Sequence, residues 1–180
     1  MSSTITAFTL STSKSRGDKT NAEYPFKKAI KDIDTFRKAT TKDHCVGRFI
    51  KDRRSKKGFI CADVICMDVD NDNKISPEQW NNESGWMTIR KFKQYFDRYE
   101  FIISTSRNHL KEKEGRSKRP RFHAYFPLGH SIDNKEEYEE LVHYLVELFK
   151  RDDGVHRFDT NAIDCARFFF GHQGMRDIQH

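Results

Sequence analysis

From Gly58 to Asp70 the chain reads GFICADVICMDVD. Val64, Ile65, Cys66 and Met67 form a nearly continuous apolar run, bounded by a glycine and by acids, with no helical period. That pattern predicts a central strand buried on both faces. Asp68 and Asp70 follow it directly. Side chains alternate along a strand, so these two carboxylates point to the same side. Paired like charges repel, and burying them against an apolar strand is costly unless a cation or hydrogen bonds compensate. The stretch therefore implies a covered sheet and a divalent cation at the strand's end.

The same carboxylates fit a second pattern. In MDVDNDNKISPEQ (67–79), Asp68, Asp70 and Asp72 stand at positions 1, 3 and 5 of a calcium-binding EF-hand loop, with Ile75 at position 8. That loop needs glycine at position 6, a bidentate glutamate at position 12 and a helix on each side. Here the two positions hold Asn73 and Gln79, the incoming segment has strand character, and no second loop exists. A strand-end Asp-x-Asp pair is the better reading, which leaves Asp72 in a supporting or solvent-facing role.

Around this strand the chain alternates short strand and helix patterns. TITAFTL reads as a strand. NAEYPFKKAIKDIDTFRKAT reads as a helix with Phe26, Ile30, Ile33 and Phe36 on one face. CVGRFI, YEFIISTS, RFHAYFPL and AIDCARFFFG read as further strands. WMTIRKFKQYF reads as a short helix, with Met87, Phe92 and Tyr95 or Phe96 inward. The strongest helix is DNKEEYEELVHYLVELFKRD, with Asp133 as N-cap and Glu136 completing a capping box. Tyr138, Leu141, Val142, Leu145, Leu148 and Phe149 form its apolar stripe. The order predicts an α+β fold with a mainly antiparallel sheet. At 180 residues the chain forms one domain, divided into an αβ module over 1–44 and a core over 45–180.

The 15 phenylalanines are too many for a disordered chain, and no apolar run approaches a membrane span. Without a signal-peptide pattern, the expectation is a cytosolic protein with no membrane partner. Cys45, Cys61, Cys66 and Cys165 match no zinc spacing and are expected to be free thiols. The net charge of +6 is concentrated in KDRRSKKG (51–58) and RNHLKEKEGRSKRPR (107–121), both read as loops. Beside a carboxylate site, two basic loops favour phosphate-bearing partners.

Three further groups complete a constellation. His123 sits in RFHAYFPL with Arg121 and Tyr125 on the same side. Ser106 and Arg107 end the preceding strand in STSRNH. Asp159, Asp164 and Arg167 lie in HRFDTNAIDCARFFFG. An apolar strand ending in Asp-x-Asp, then a strand carrying x-x-His, then an acid before a last strand resembles the archaeo-eukaryotic primase superfamily, the primase-polymerases. The resemblance covers about residues 45 to 172.

It implies an RRM-like sheet flanked by helices, and a template-directed nucleotidyltransferase that makes or extends primers on DNA. It further implies two divalent ions, Mg²⁺ or Mn²⁺, held by Asp68, Asp70 and Asp159, with Asp164 as the other candidate for the third carboxylate. The motif around His123 usually carries Ser where this chain has Arg121. His123, Arg121, Arg167, Ser106 and Arg107 would bind the nucleoside triphosphate. Arg53, Arg54, Lys56, Lys57, Arg116 and Lys118 would follow the backbone of the DNA template and primer. The ending GHQGMRDIQH, soon after the last motif, suggests a piece of a longer protein with a helicase or accessory region, acting in mobile-element replication. Two rival classes remain. A two-metal nuclease or rolling-circle initiator wants a His-x-His pair, and FHAYF has a single histidine. The other is a calcium- or nucleic-acid-binding module without catalysis.

Overall fold

The computed structural model describes residues 4–71, 83–115, 117–150 and 158–179. Among the described residues the fold is α+β, built from two antiparallel sheets and three α-helices. The first sheet has the order β2-β1-β3-β8, from β1 (Thr4–Thr12), β2 (Phe26–Asp32), β3 (His44–Cys45) and β8 (Phe168–Phe169). The second has the order β4-β5-β7-β6-β9, from β4 (Arg48–Phe49), β5 (Phe59–Val69), β6 (Phe101–Thr105), β7 (Phe122–Ile132) and β9 (Arg176–Gln179). The helices are α1 (Ile33–Ala39), α2 (Ile89–Tyr95) and α3 (Lys135–Lys150). None among the described residues is long and apolar enough to cross a membrane.

The Gly58–Asp70 stretch supplies β5, and Val64 to Val69 are all buried, as a strand covered on both faces requires. It pairs with β7, and β7 pairs with β6. The succession β5-α2-β6-β7-α3 therefore places β7 between β5 and β6, antiparallel to both. Helix α2 lays Phe92 against Phe101, Phe122 and Phe126, with ring centroids 5.3 to 6.1 Å apart. Tyr95 Oη donates to the Leu148 carbonyl of α3 (3.3 Å), which ties the end of α2 to α3. On the other side the small sheet closes over β5 and β7 through Phe8, Phe36 and Tyr125, which stack edge to face.

Four local expectations are corrected. Phe26–Asp32 is a strand, not the first half of a helix. Its backbone pairs with β1, and Asp32 starts the helix only afterwards through a reciprocal cap with Thr35. Pairing with an adjacent strand overrides the helical spacing, and Phe26 is left exposed. CVGRFI is two strands in different sheets. The chain passes between them at Gly47, where a Cβ would meet the Phe49 ring at 2.8 Å and the Cys165 carbonyl at 3.0 Å. Helix α3 is capped by Asn134, whose Oδ1 accepts from Glu137 N–H at 2.9 Å, because β7 runs on to Ile132. AIDCARFFFG is mostly not strand: Thr160–Ile163 forms a 3₁₀ turn and only Phe168–Phe169 pairs. Strand β9 was not expected at all.

The first sheet joins residues 4–45 to 168–169, so both ends of the chain contribute to one core. All four cysteines are free, and three of them are buried.

Candidate active site

Strand register sets the centre. Asp68 on β5 stands opposite His123 on β7, His123 opposite Ser104 on β6, and Ser104 opposite Arg176 on β9. Directly paired residues project to the same face, so one polar row crosses the sheet. The next row in that direction, Cys66–Tyr125–Ile102, is buried. Phe169 of β8 lies 4.8 Å from the His123 ring and closes the site on that side.

Beyond Val69 the backbone turns sharply. Asn71 has φ +52, a left-handed conformation that asparagine tolerates better than most residues. Its Nδ2 donates to the carbonyls of Met87 (3.0 Å) and Pro120 (2.7 Å), and its Oδ1 accepts from Met87 N–H (2.7 Å). The fully buried Arg119 donates to the Asn71 carbonyl at 2.9 Å. This turn follows Asp70 directly and so positions it. The acid stands 3.7 Å from Lys113 Nζ and 3.8 Å from Arg121 Nε.

The third carboxylate arrives from the distant chain. Val69 bridges to Phe158, and Asp159 N–H donates to the Asp68 carbonyl at 3.0 Å. Asp159 Oδ1 caps the following 3₁₀ turn by accepting from Asn161 N–H, and its Oδ2 accepts from Arg167 Nη2 at 2.7 Å. The same guanidinium stands 3.6 Å from Asp68 Oδ2. Asp164 lies elsewhere, beside Lys56 and Glu139.

Burial dominates the electrostatics. It pushes the Asp68 carboxyl up to about 7, against the pull of Arg167 and with help from Asp159. It pulls the His123 imidazole down to about 4, against the attraction of Asp70. His123 is therefore neutral near pH 7, and its 3.4 Å approach to Asp68 Oδ1 is a polar contact rather than an ion pair.

These groups line a cavity of about 190 Å³, together with Ser106, Arg107, Asn108, Lys113 and the rings of Phe168, Phe169 and Phe170. Of the residues expected here, Asp68, Asp70, His123, Arg167, Ser106 and Arg107 reach the cavity, and Asp159 touches it through Arg167. Arg121 does not. Its side chain is fully enclosed and donates to the carbonyls of Asn108 and Lys111, so it braces the basic loop instead of facing phosphate.

Among the expected backbone-tracking cations, Arg53, Lys57 and Lys118 are exposed. Arg54 is tied to the Ala166 carbonyl and stacked on Phe168, and Lys56 is paired with Glu139 and Asp164. Arg116 and Asp72 fall outside the described residues. Lys113, Asn71 and the phenylalanine triplet were missed. FFF was visible only as strand-forming sequence, and nothing local ties Asn71 to Met87 and Pro120.

Among the described residues, two carboxylate groupings offer oxygens to a metal. Asp68 Oδ1 is buried and accepts no hydrogen bond among the described residues, and Asp70 lies on the same cavity wall. Hard carboxylate oxygens of this kind suit Mg²⁺ or Mn²⁺. Glu139, Asp164 and Cys165 also bring their ligand atoms within 4.8 Å of one another. There, however, Lys56 already supplies the cation at 3.2 and 3.5 Å. The Cys165 thiol, pushed up to about 12 by burial and Glu139, stays protonated. The element entering the Asp-x-Asp segment is a strand, which an EF-hand does not allow.

No family model, no curated protein and no solved structure matches the chain.

Proposed function

We propose that the protein is a template-directed nucleotidyltransferase of the primase-polymerase type, which joins a nucleotide to the 3′-hydroxyl of a primer on DNA. One observation carries the reading. Asp68 and Asp70 end a buried central strand, His123 is the register partner of Asp68, and Asp159 is hydrogen-bonded to the Asp68 backbone. The β5-α2-β6-β7-α3 order, with β7 between β5 and β6, is a split β-α-β arrangement and supports an RRM-like core.

In this reaction the hydroxyl attacks the α-phosphate and pyrophosphate leaves. Asp68 and Asp70, with Asp159 as third carboxylate, would hold two Mg²⁺ or Mn²⁺ ions, which when bound stabilise the attacking and departing oxygens. The remaining work falls to the chain's own groups. Arg167 and Lys113 offset phosphate charge inside a partly dehydrated cavity, where such interactions are strong. His123, neutral, offers a ring N–H to a phosphate oxygen without adding a second repelling cation beside Arg167. Exposed Arg53, Lys57 and Lys118 suit sequence-independent contact with a strand backbone.

Primer extension with labelled nucleotides and Mg²⁺ or Mn²⁺ tests the proposal. Asp68→Ala and Asp70→Ala are expected to abolish extension while circular dichroism shows the fold retained. Asp159→Asn is expected to lose activity and Asp164→Asn to keep it. Full extension by both Asp68→Ala and Asp70→Ala refutes the assignment.

A further inference from the structure

The side chains that line the cavity fall into two chemically different sets. The carboxylates, His123, Lys113 and Arg167 are paired with one another at 3.4 to 3.7 Å. The other set is two partly buried rings, Phe168 and Phe170, which meet edge to face with centroids 5.0 Å apart. Each ring carries an arginine. Arg54 lies 4.7 Å over Phe168 and is anchored by the Ala166 carbonyl. Arg107 lies 3.5 Å over Phe170, is exposed, and makes no hydrogen bond or ion pair among the described residues. Its donors therefore stay available while its position is set by the ring alone.

Phe168 packs in part against Tyr24, Cys45, Phe49 and Ala166, yet both rings also contribute surface to the cavity wall, whereas Phe169 between them is buried. Aromatic rings and guanidinium planes are the surfaces on which nucleobases stack. We infer that Phe168, Phe170 and Arg107 form the base-binding part of the cavity and hold the nucleobase of an incoming nucleoside triphosphate, with its phosphates toward Lys113 and Arg167. The inference rests on the nucleotidyl-transfer reading and adds the orientation of the substrate. It also makes Arg107 a base contact with donors to spare rather than a phosphate clamp.

Titration calorimetry with Mg²⁺ separates the two sets by comparing a nucleoside triphosphate with inorganic tripolyphosphate, which has no base. The wild type is expected to prefer the nucleotide by roughly 5- to 150-fold, the range of base–aromatic stacking. Phe170→Leu keeps apolar bulk but removes the π face, and is expected to lose most of that preference without weakening tripolyphosphate. Phe168→Leu gives a second, independent reading of the wall, and Phe170→Tyr is expected to restore binding. Equal nucleotide affinity in the wild type and both leucine variants overturns the inference, as does a wild type that prefers tripolyphosphate. A base preference that moves only for a short single-stranded oligonucleotide, and not for the nucleotide, also overturns it. These outcomes bear on how the nucleotide is held and not on the catalytic carboxylates, whereas extension that survives Asp68→Ala and Asp70→Ala defeats the catalytic reading while the binding preference stands. Failure of the wild type to bind either ligand defeats both.

Discussion

Arg167 reaches two carboxylates at once, at 2.7 Å from Asp159 and 3.6 Å from Asp68. It is one-third exposed, so water screens part of its effect, but Asp68 beneath it is buried. Removing the guanidinium strips a counter-charge from both acids, whereas removing the Asp159 charge strips only one interaction. Arg167→Gln should therefore destabilise the fold more than Asp159→Asn. Because the two groups share a short charge-assisted bond, the double variant should recover part of the loss, with a coupling of about 0.5–3 kcal/mol. Denaturant unfolding of the four proteins measures it. Strict additivity would mean that Arg167 and Asp159 do not act on each other in the folded protein.

At the scale of elements, the turn after β5 decides where Asp70 sits. Asn71 combines a left-handed backbone with three side-chain hydrogen bonds in a buried position. Asn71→Ala forfeits the bonds, at about 1 kcal/mol each, and also pays about 1–2 kcal/mol for a left-handed alanine. Asn71→Gly forfeits only the bonds. The alanine variant should thus be the less stable by about 1 kcal/mol, and both should lose nucleotide binding as Asp70 drifts. Equal stability of alanine and glycine variants would argue that the turn relaxes to an ordinary conformation. The elements also divide into those legible in the sequence and those that were not. Strand β5 was readable because burial on both faces leaves a continuous apolar run, and α2 and α3 because their apolar residues keep a helical period. Strand β2 was misread because Phe26, Ile30 and Ile33 happen to match that period, while pairing with β1 is a long-range choice. The two-residue strands β3, β4 and β8 are too short to show any period. Among the residues that line the cavity, Asp68, Asp70 and His123 were legible because polar side chains at an apolar strand stand out. Arg121 looked equally charged, and only its carbonyl partners reveal that it braces a loop.

At the scale of the molecule, the two sheets are joined through His44 of β3 and Tyr125 of β7. Nδ1 of His44 lies 2.9 Å from the Lys42 carbonyl, which can only accept, so Nδ1 carries the proton. Nε2 is then the acceptor for the Tyr125 hydroxyl at 2.7 Å, and Tyr125, whose ionisation burial pushes well upward, remains a donor. A second proton on His44 would destroy this bridge, and burial accordingly pulls its pKa down to about 4. A depressed histidine contributes stability that is fully present above its unfolded value, near 6.5, and is lost as the pH falls through about 4. For His44 alone the loss amounts to roughly 3 kcal/mol. His123, depressed to about 4, acts in the same direction. Asp68, raised to about 7, acts in the opposite one, since its contribution is present at low pH and lost as the pH rises through 7. The wild-type slope is therefore a sum, and the informative quantity is its change on substitution. His44→Gln should be less stable than the wild type at pH 7.5, where the bridge is intact. Its deficit should shrink by as much as roughly 3 kcal/mol at pH 4.5, where the wild type has lost what the neutral imidazole supplied. Urea unfolding at the two pH values measures the difference, and a deficit that stays constant would show that His44 does not hold the sheets together as a buried neutral base.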